Sequence, residues 1–507
     1  MNTKSMSLPS LSKFCEKIRI SDKKIVLCHG TFDLLHVGHL HHFKEAKNHG
    51  DILIVTLTAD QFIFKGPDRP AFNQDYRSEM IAALDLVDAV AVIDEKSAIP
   101  ALNAVRPDFY VKGPDYIDET ADITGKIKAE RELCESFGGQ LAFTTTPTFS
   151  SSALLNKHVA DISEELKEKL TYIKNNNGAR KVVDYLDQMK DLSILFVGET
   201  IIDQYSYVDT LGKSAKDSHI ATQFIEEEKF AGGVIAAANH LSELCDNVRV
   251  LTAIGTADSQ IDVIEASANK NISIELFPIP GGTTTRKQRF IDRSYMRKMF
   301  EVYHMDDSPL DAETDKKFLQ VLEEEIAKAD LVIVTDFGHG LLSDSAIDLL
   351  QRKAKFLAVN AQTNSGNRGF NLVTKYNHAD YVCLDEPEFR LAAHDKHTNI
   401  HILIEDKFAQ ITSAKQGVVT HGKHGCYVYG KDGTTFNLPA FSSNSVDTMG
   451  AGDAFFALSA PMAALGADKH EIALVGNIAG VQMIKVLGHR SHVERILLEK
   501  YIETLLK

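Results

Sequence analysis

The chain has 507 residues, too many for one ordinary hydrophobic core, so two domains and a connector are expected. An apolar fraction of 44% and a charged fraction of 25% are those of a globular protein. A net charge of −15 argues against a nonspecific nucleic-acid binder, which needs a basic face, and no apolar run reaches the ~18 residues that argue for a membrane span.

From Lys24 the sequence reads as strand, glycine turn, helix and strand: Ile25 to Cys28, His29 to Asp33, Val37 to Asn48, then Asp51 to Leu57. Ala89 to Ile93 and Phe109 to Val111 are further buried strands with helices between them, which predicts a parallel sheet in a unit ending near Lys157. Residues 158 to 190 are rich in Glu, Lys and Asn, with helical spacing at Leu166, Leu170 and Ile173, and read as a connector of two helices. A second α/β unit over 191 to 507 starts at Ser193 to Gly198. Its strand candidates are Val248 to Leu251, Leu331 to Val334, Phe356 to Val359 and Tyr381 to Leu384, and helices close it from about Asp453. Six scattered cysteines without a CxxC pair or zinc spacing read as reduced thiols, and the N-terminus lacks an apolar signal core, so a cytoplasmic protein is expected.

Two segments carry chemistry. His36-Val37-Gly38-His39 follows a strand and opens a helix. Gly38 admits a phosphate to the backbone, and the helix N-terminus offers unpaired N–H groups and the positive end of its dipole. The two imidazoles, three apart, lie on one face and can donate to charge developing on an α-phosphate and its leaving pyrophosphate. His29 is a substrate contact or a strand-end residue, and His41 and His42 read as solvated. More than 400 residues later comes Asp447-Thr448-Met449-Gly450-Ala451-Gly452-Asp453. Gly450, Ala451 and Gly452 at a helix start make a backbone nest for a phosphoryl group, and Asp453 is placed to accept the proton of an attacking hydroxyl. Asp447 and Thr448 fix the turn.

The run Gly30-Thr31-Phe32-Asp33-Leu34-Leu35-His36-Val37-Gly38-His39 resembles the hallmark of the cytidylyltransferase-like nucleotidyltransferases, a Rossmann-like fold. Lys65-Gly66, Arg69-Pro70, Arg77, the segment Val111 to Tyr116 and Ser150-Ser151-Ser152 match further parts of that pattern. The resemblance implies charge stabilisation by Lys65 and Arg77, and substrate or nucleotide contacts at Asp33 and Lys112. It also implies nucleotide binding by Gly30, Thr31, Phe32, Gly38, Ser150, Ser151 and Ser152.

The Gly-Ala-Gly-Asp stretch resembles the ribokinase/PfkB sugar kinases, which add a small β lid to an α/β domain. Asp203, Gly232, Gly233 and Asn239 then correspond to sugar contacts. Thr420, Gly422 and Gly425 form a nucleotide turn with the 450–452 nest, and Asp385 and Glu388 organise Mg²⁺ indirectly. Three departures stand out: Asp385 replaces Asn, His339 replaces Lys, and Val359-Asn360-Ala361-Gln362 replaces Val-Asp-Pro-Lys. Gly281 to Arg286 reads either as a phosphate contact through Arg286 or as a surface turn.

Together the halves resemble the bifunctional ADP-heptose synthases of lipopolysaccharide biosynthesis, with the domain order reversed. That likeness implies C1 phosphorylation of a heptose phosphate and adenylyl transfer from ATP with Mg²⁺, in a homo-oligomer built through the lid near residues 208 to 230. A CTP-dependent transferase is the alternative. A riboflavin kinase–adenylyltransferase pair is opposed by the 300-residue C-terminal unit, and a degenerate sensor is opposed by His36, His39 and Asp453, although Asn360 and Asp385 leave it open for the kinase half.

Overall fold

The computed structural model describes residues 4–63, 69–114, 126–145, 163–441 and 447–506. Lys65, Gly66, Asp115, Tyr116 and Ser150, Ser151 and Ser152 lie outside them. Two compact units are present: Met1–Ile162 with Glu499–Lys507, and Ser163–Leu498.

The first unit is a five-stranded parallel sheet. Its strands are β1 (Ile25–Gly30), β2 (Ile52–Thr58), β3 (Ala89–Ile93), β4 (Phe109–Lys112) and β5 (Gln140–Phe143), in the order β3-β2-β1-β4-β5. Helices cover both faces, so every residue of β2 is buried and the strand reads as an unbroken apolar run. One core lies under Leu11, Cys15, Ala101, Leu102 and Val105, the other under Phe43, Ala46, Ile81 and Ala82. Each large aliphatic or aromatic side chain buried this way contributes about 1.5–3 kcal/mol. The order reverses at β1 and β4, and ligands of open α/β sheets bind beyond strand C-termini at such a switch point.

In the second unit the central sheet has nine strands in the order β10-β9-β6-β13-β14-β15-β16-β17-β18. They are β6 (Ser193–Gly198), β9 (Asn247–Gly255), β10 (Ile272–Ile279), β13 (Leu331–Asp336), β14 (Leu357–Ala361), β15 (Ala379–Asp385), β16 (Ala414–Thr420), β17 (Cys426–Tyr429) and β18 (Thr435–Leu438). The last two form an antiparallel edge. A separate four-stranded lid, ordered β12-β11-β7-β8, is made of β7 (Thr200–Lys213), β8 (Ile220–Gly233), β11 (Thr285–Asp292) and β12 (Arg297–His304).

The helices Glu164–Asn175 and Gly178–Gln188 belong to this unit. Leu166, Leu170, Ile173, Val182 and Leu186 are buried, Lys181 pairs with Glu471 at 3.5 Å, and Asn437 donates to Glu165 at 2.7 Å. The helices Ala451–Ala464 and Lys469–Met483 are apolar on most sides and close the core. Among the described residues no helix is long and apolar enough to cross a membrane, and all six cysteines are free and buried.

Candidate active sites

At the C-terminal end of β1 the backbone turns through Phe32 and Leu34, both at positive φ (46° and 49°), which a side chain adopts only when the surroundings hold it. The Phe32 ring lies over Gly30, where a Cβ would stand 3.2 Å from it, and meets His39 edge-on at 5.5 Å. Asp33 accepts the amides of Ala71 and Phe72 at 2.9 and 3.2 Å, with Arg69 3.9 Å away, and so ties down that segment. Arg77 is almost wholly buried. Its guanidinium donates to the carbonyls of Thr31, Thr58 and Phe72 and to Asp60, so in this conformation it organises the Gly30–Thr31 turn rather than facing outward.

The helix Val37–Lys47 begins in a reciprocal cap made of histidines. His36 Nδ1 accepts from Gly38 N at 3.1 Å, and His39 Nδ1 accepts from His36 N at 3.4 Å. The rings stack at 3.9 Å. A ring nitrogen that accepts a backbone N–H carries no proton, so both neutral imidazoles bear theirs on Nε2, the donor an α-phosphate needs. Burial lowers the His36 pKa from the ordinary imidazole value, which favours that neutral form.

Lys112, ending β4, pairs with Glu130 at 3.2 Å, and Glu130 also accepts from Tyr110 at 2.7 Å and Ala98 N at 3.1 Å. Glu130 escaped the sequence reading because a single carboxylate on the helix Lys126–Ser136 has no motif around it. His29 sits inside the sheet end beside Thr56 at 3.0 Å, and His42 beside Thr144 at 3.1 Å, so neither is a solvated ring. For His42 this corrects the surface position expected from sequence, and burial lowers its pKa to about 4.

In the second unit Gly450 caps the helix Ala451–Ala464 at φ 76°, a left-handed value that suits glycine. Asp453 lies in the first turn and accepts from Gln362 at 2.9 Å; burial raises its pKa. Asp447 fixes the turn through Met449 N at 3.2 Å and Gly488 N at 3.3 Å, and pairs with Lys298 of β12 at 2.8 Å. Asp203 on β7 is buried between Arg289 of β11 and His489, whose Nε2 is 3.2 Å away. Burial alone would raise the Asp203 pKa, but the His489 hydrogen bond and the two nearby cations hold it down to about 2. Gly232 lies against Asp203, and Gly233 turns the chain at φ 59° into the helix Val234–Asn239. Asn239 faces a different way: its amide bonds Ser267 O and Asn269 N, both at 2.9 Å, and holds that loop.

The Asp385–Glu388 pair is a capping box on the helix Glu386–Ala393. Asp385 accepts Glu388 N at 2.7 Å, and Glu388 accepts Asp385 N at 2.9 Å and Thr363 N at 3.0 Å. Burial and the Asp385 charge raise the Glu388 pKa to about 8. No group of three or more potential metal ligands gathers among the described residues. Asn360 explains one departure: its amide donates to Cys383 O at 2.7 Å, which an ionised carboxylate cannot do. His339 is buried, and neither ring nitrogen has a hydrogen-bond partner. The nucleotide turn is held by Gly422 and Gly425, both at positive φ, and a Cβ at Gly425 would strike the Leu438 carbonyl. Thr420 ends β16 beside Leu384 O at 3.4 Å, and His421 pairs with Glu386 at 2.6 Å. Arg286 bonds Gln204 at 2.8 Å within the lid.

The family model described as pfkB family carbohydrate kinase matches residues 191–495. The chain belongs to the pfkB family of carbohydrate kinases. A second model, Cytidylyltransferase-like, matches residues 27–157 of the same chain, so the transferase-like part precedes the pfkB part. The N-terminal region is 35% identical over 158 residues to "Bifunctional protein HldE" of Syntrophotalea carbinolica, covering 31% of each chain. It is 36% identical over 157 residues to the protein of that name from Methylobacillus flagellatus, covering 30% of this chain and 31% of that one. The match thus spans under a third of the length of these curated relatives. Phosphofructokinase-2 from Escherichia coli, solved in complex with potassium, superposes with a TM-score of 0.51 at 13% identity, over 62% of this chain and 99% of that one. Its tetrameric inhibited form gives 0.50 over 62% and 100%. At that identity the likeness is one of fold.

In the pfkB part, the structure brings three of the residues expected from sequence, Asp203, Gly232 and Gly450, around one ring, which also interacts electrostatically with Asp453. That ring, His489, was missed, as were Arg289 and Lys298. They come from two lid strands and a loop, without a motif to mark them.

Proposed function

We propose that the chain is a bifunctional transferase: a kinase that phosphorylates a sugar phosphate at C1, and a nucleotidyltransferase that caps the new phosphate with AMP and releases pyrophosphate. The carrying observation is that each unit presents a glycine-bearing helix N-terminus with its chemical group attached. In the first unit these are His36 and His39, whose side chains accept backbone amides in the cap, and in the second Asp453 behind the Gly450–Gly452 nest. In the kinase step Asp453 takes the hydroxyl proton. In the transfer step the sugar phosphate attacks the α-phosphorus while the two imidazoles donate to developing charge. A protein cage for Mg²⁺ is not required, because the ion enters on the nucleotide's phosphates. The likeness to the HldE proteins favours ATP over CTP and a heptose acceptor. CTP remains the second reading because the matching family model is cytidylyltransferase-like.

The protein acts on small molecules in the cytoplasm, as its six free thiols favour. It is a homo-oligomer through the lid, where Leu211, Ile220, Phe224 and Phe300 are exposed. The test is pyrophosphate release with heptose 1-phosphate and either ATP or CTP, beside ADP formation with heptose 7-phosphate. Release with ATP alone supports the adenylyl reading. Release with CTP alone replaces it, and silence in both assays removes the heptose.

A further inference from the structure

The ring of His489 stands where the sugar side and the phosphoryl side of the kinase-family unit meet. Its Nε2 is 3.2 Å from Asp203. A Cβ added to Gly232 would lie 3.2 Å from the same nitrogen, and one added to Gly450 would lie 2.9 Å from its Cε1 and 3.1 Å from its Nδ1. The side chain is 9% exposed. One imidazole therefore packs on a glycine of the sugar pocket and on the glycine that opens the phosphoryl nest. Gln362, where the family resemblance expects lysine, is uncharged and bonds Asp453. A nest that receives a multiply charged phosphoryl group calls for a cation, and His489 is poised beside it.

We propose that the imidazolium of His489 is a contact for the phosphoryl group in transfer, supplying the positive charge that Gln362 does not. This rests on the kinase reading of the unit. In the step it serves, the acceptor oxygen forms a bond to the γ-phosphorus and the bond from that phosphorus to the β-bridging oxygen breaks. ADP leaves with the electron pair, and the hydroxyl proton passes to Asp453. His489 keeps its own proton throughout and balances charge on the equatorial oxygens.

The surroundings favour the charged ring. Burial disfavours it, but the Asp203 hydrogen bond and the charges of Asp203 and Asp453 prevail over burial and Arg289, and its pKa lies above the ordinary imidazole value. The other groups around it are His240, Tyr205 against Gly488, and Asp447, which holds Gly488 N and is neutralised by Lys298; Lys287 lies beyond Asp203.

Histidine resonances of the full chain, labelled with ¹³C-histidine, test this. The His489 signal is identified by its loss in His489→Gln and, independently, by its displacement in Asp203→Asn. His421 and His424 report nucleotide at the 420–425 turn. Of these three rings, ADP with Mg²⁺ should move His421 and His424 and leave His489 in place. The non-hydrolysable ATP analogue AMPPNP with Mg²⁺ should also move His489 and lift its titration midpoint by about 1–3 pH units, the effect of an opposite charge at close range. An unmoved His489 while His421 and His424 respond to AMPPNP overturns this assignment and leaves the kinase reading standing. Silence of all three rings with both nucleotides overturns the two together.

Discussion

His36 and His39 do two jobs with two nitrogens each. Nδ1 completes the helix cap and Nε2 carries the proton of the neutral ring, so local structure and chemistry cannot be separated by mutation at either position. Replacing either by Ala should cost ~2–4 kcal/mol of transition-state stabilisation, or about 30- to 1,000-fold in pyrophosphate release, and leave ADP formation unchanged. Protonating His36 puts a second proton on Nδ1 against the Gly38 amide. Nucleotidyl transfer should therefore fall as pH drops through a midpoint below the ordinary imidazole value, since the His36 pKa is lowered and the competent form exists above it. A pH–rate profile at saturating nucleotide checks this. Asp453 has the opposite shift. Its raised pKa places the ionised base only above a midpoint higher than an ordinary aspartate's, so the kinase limb should climb there. Asp453→Asn should abolish ADP formation and spare pyrophosphate release. Loss of both activities would end the picture of separate sites.

Elements differ in how plainly the sequence announces them. Strands covered on both faces, such as β2 or β13, are continuous apolar runs and were legible from that alone. The strands β17 and β18 were not, because four residues each, with alternating burial, resemble any short loop. The polar stretch Glu226-Glu227-Glu228-Lys229 in β8 hides a long lid strand, because a lid exposes one face and needs no apolar run. Motif residues were legible where backbone chemistry repeats, as in the 450–453 turn. His489 was not, because its role is set by strands more than 200 residues away. The Asp385–Glu388 spacing illustrates a shared signal, since a metal-organising pair and a capping box have the same letters. Asp385→Ala should lower stability by about 1 kcal/mol in chemical denaturation, and Asp385→Asn by only a few tenths, because Asn also caps. In the Asn variant Glu388 should titrate below its present value of about 8, having lost a neighbouring charge.

At the scale of the molecule, the lid offers a test of assembly. Phe224→Glu places a charge on the β7–β8 edge of the lid that also exposes Leu211 and Ile220, and should convert an oligomer held through that edge to a monomer in sedimentation. An unchanged mass would move the interface elsewhere. The helices Glu164–Asn175 and Gly178–Gln188 carry a consequence for dissecting the gene. They look like a spacer in sequence, yet their apolar stripe is part of the second unit's own packing. An expression clone begun at Ser193 would strip that cover and leave a sticky product, whereas one begun at Ser163 keeps it. A half that brings its own jacket can be cut free at Ser163, but the first unit draws Glu499–Lys507 from the far end of the chain, so a fusion in the other order would have to supply that segment anew.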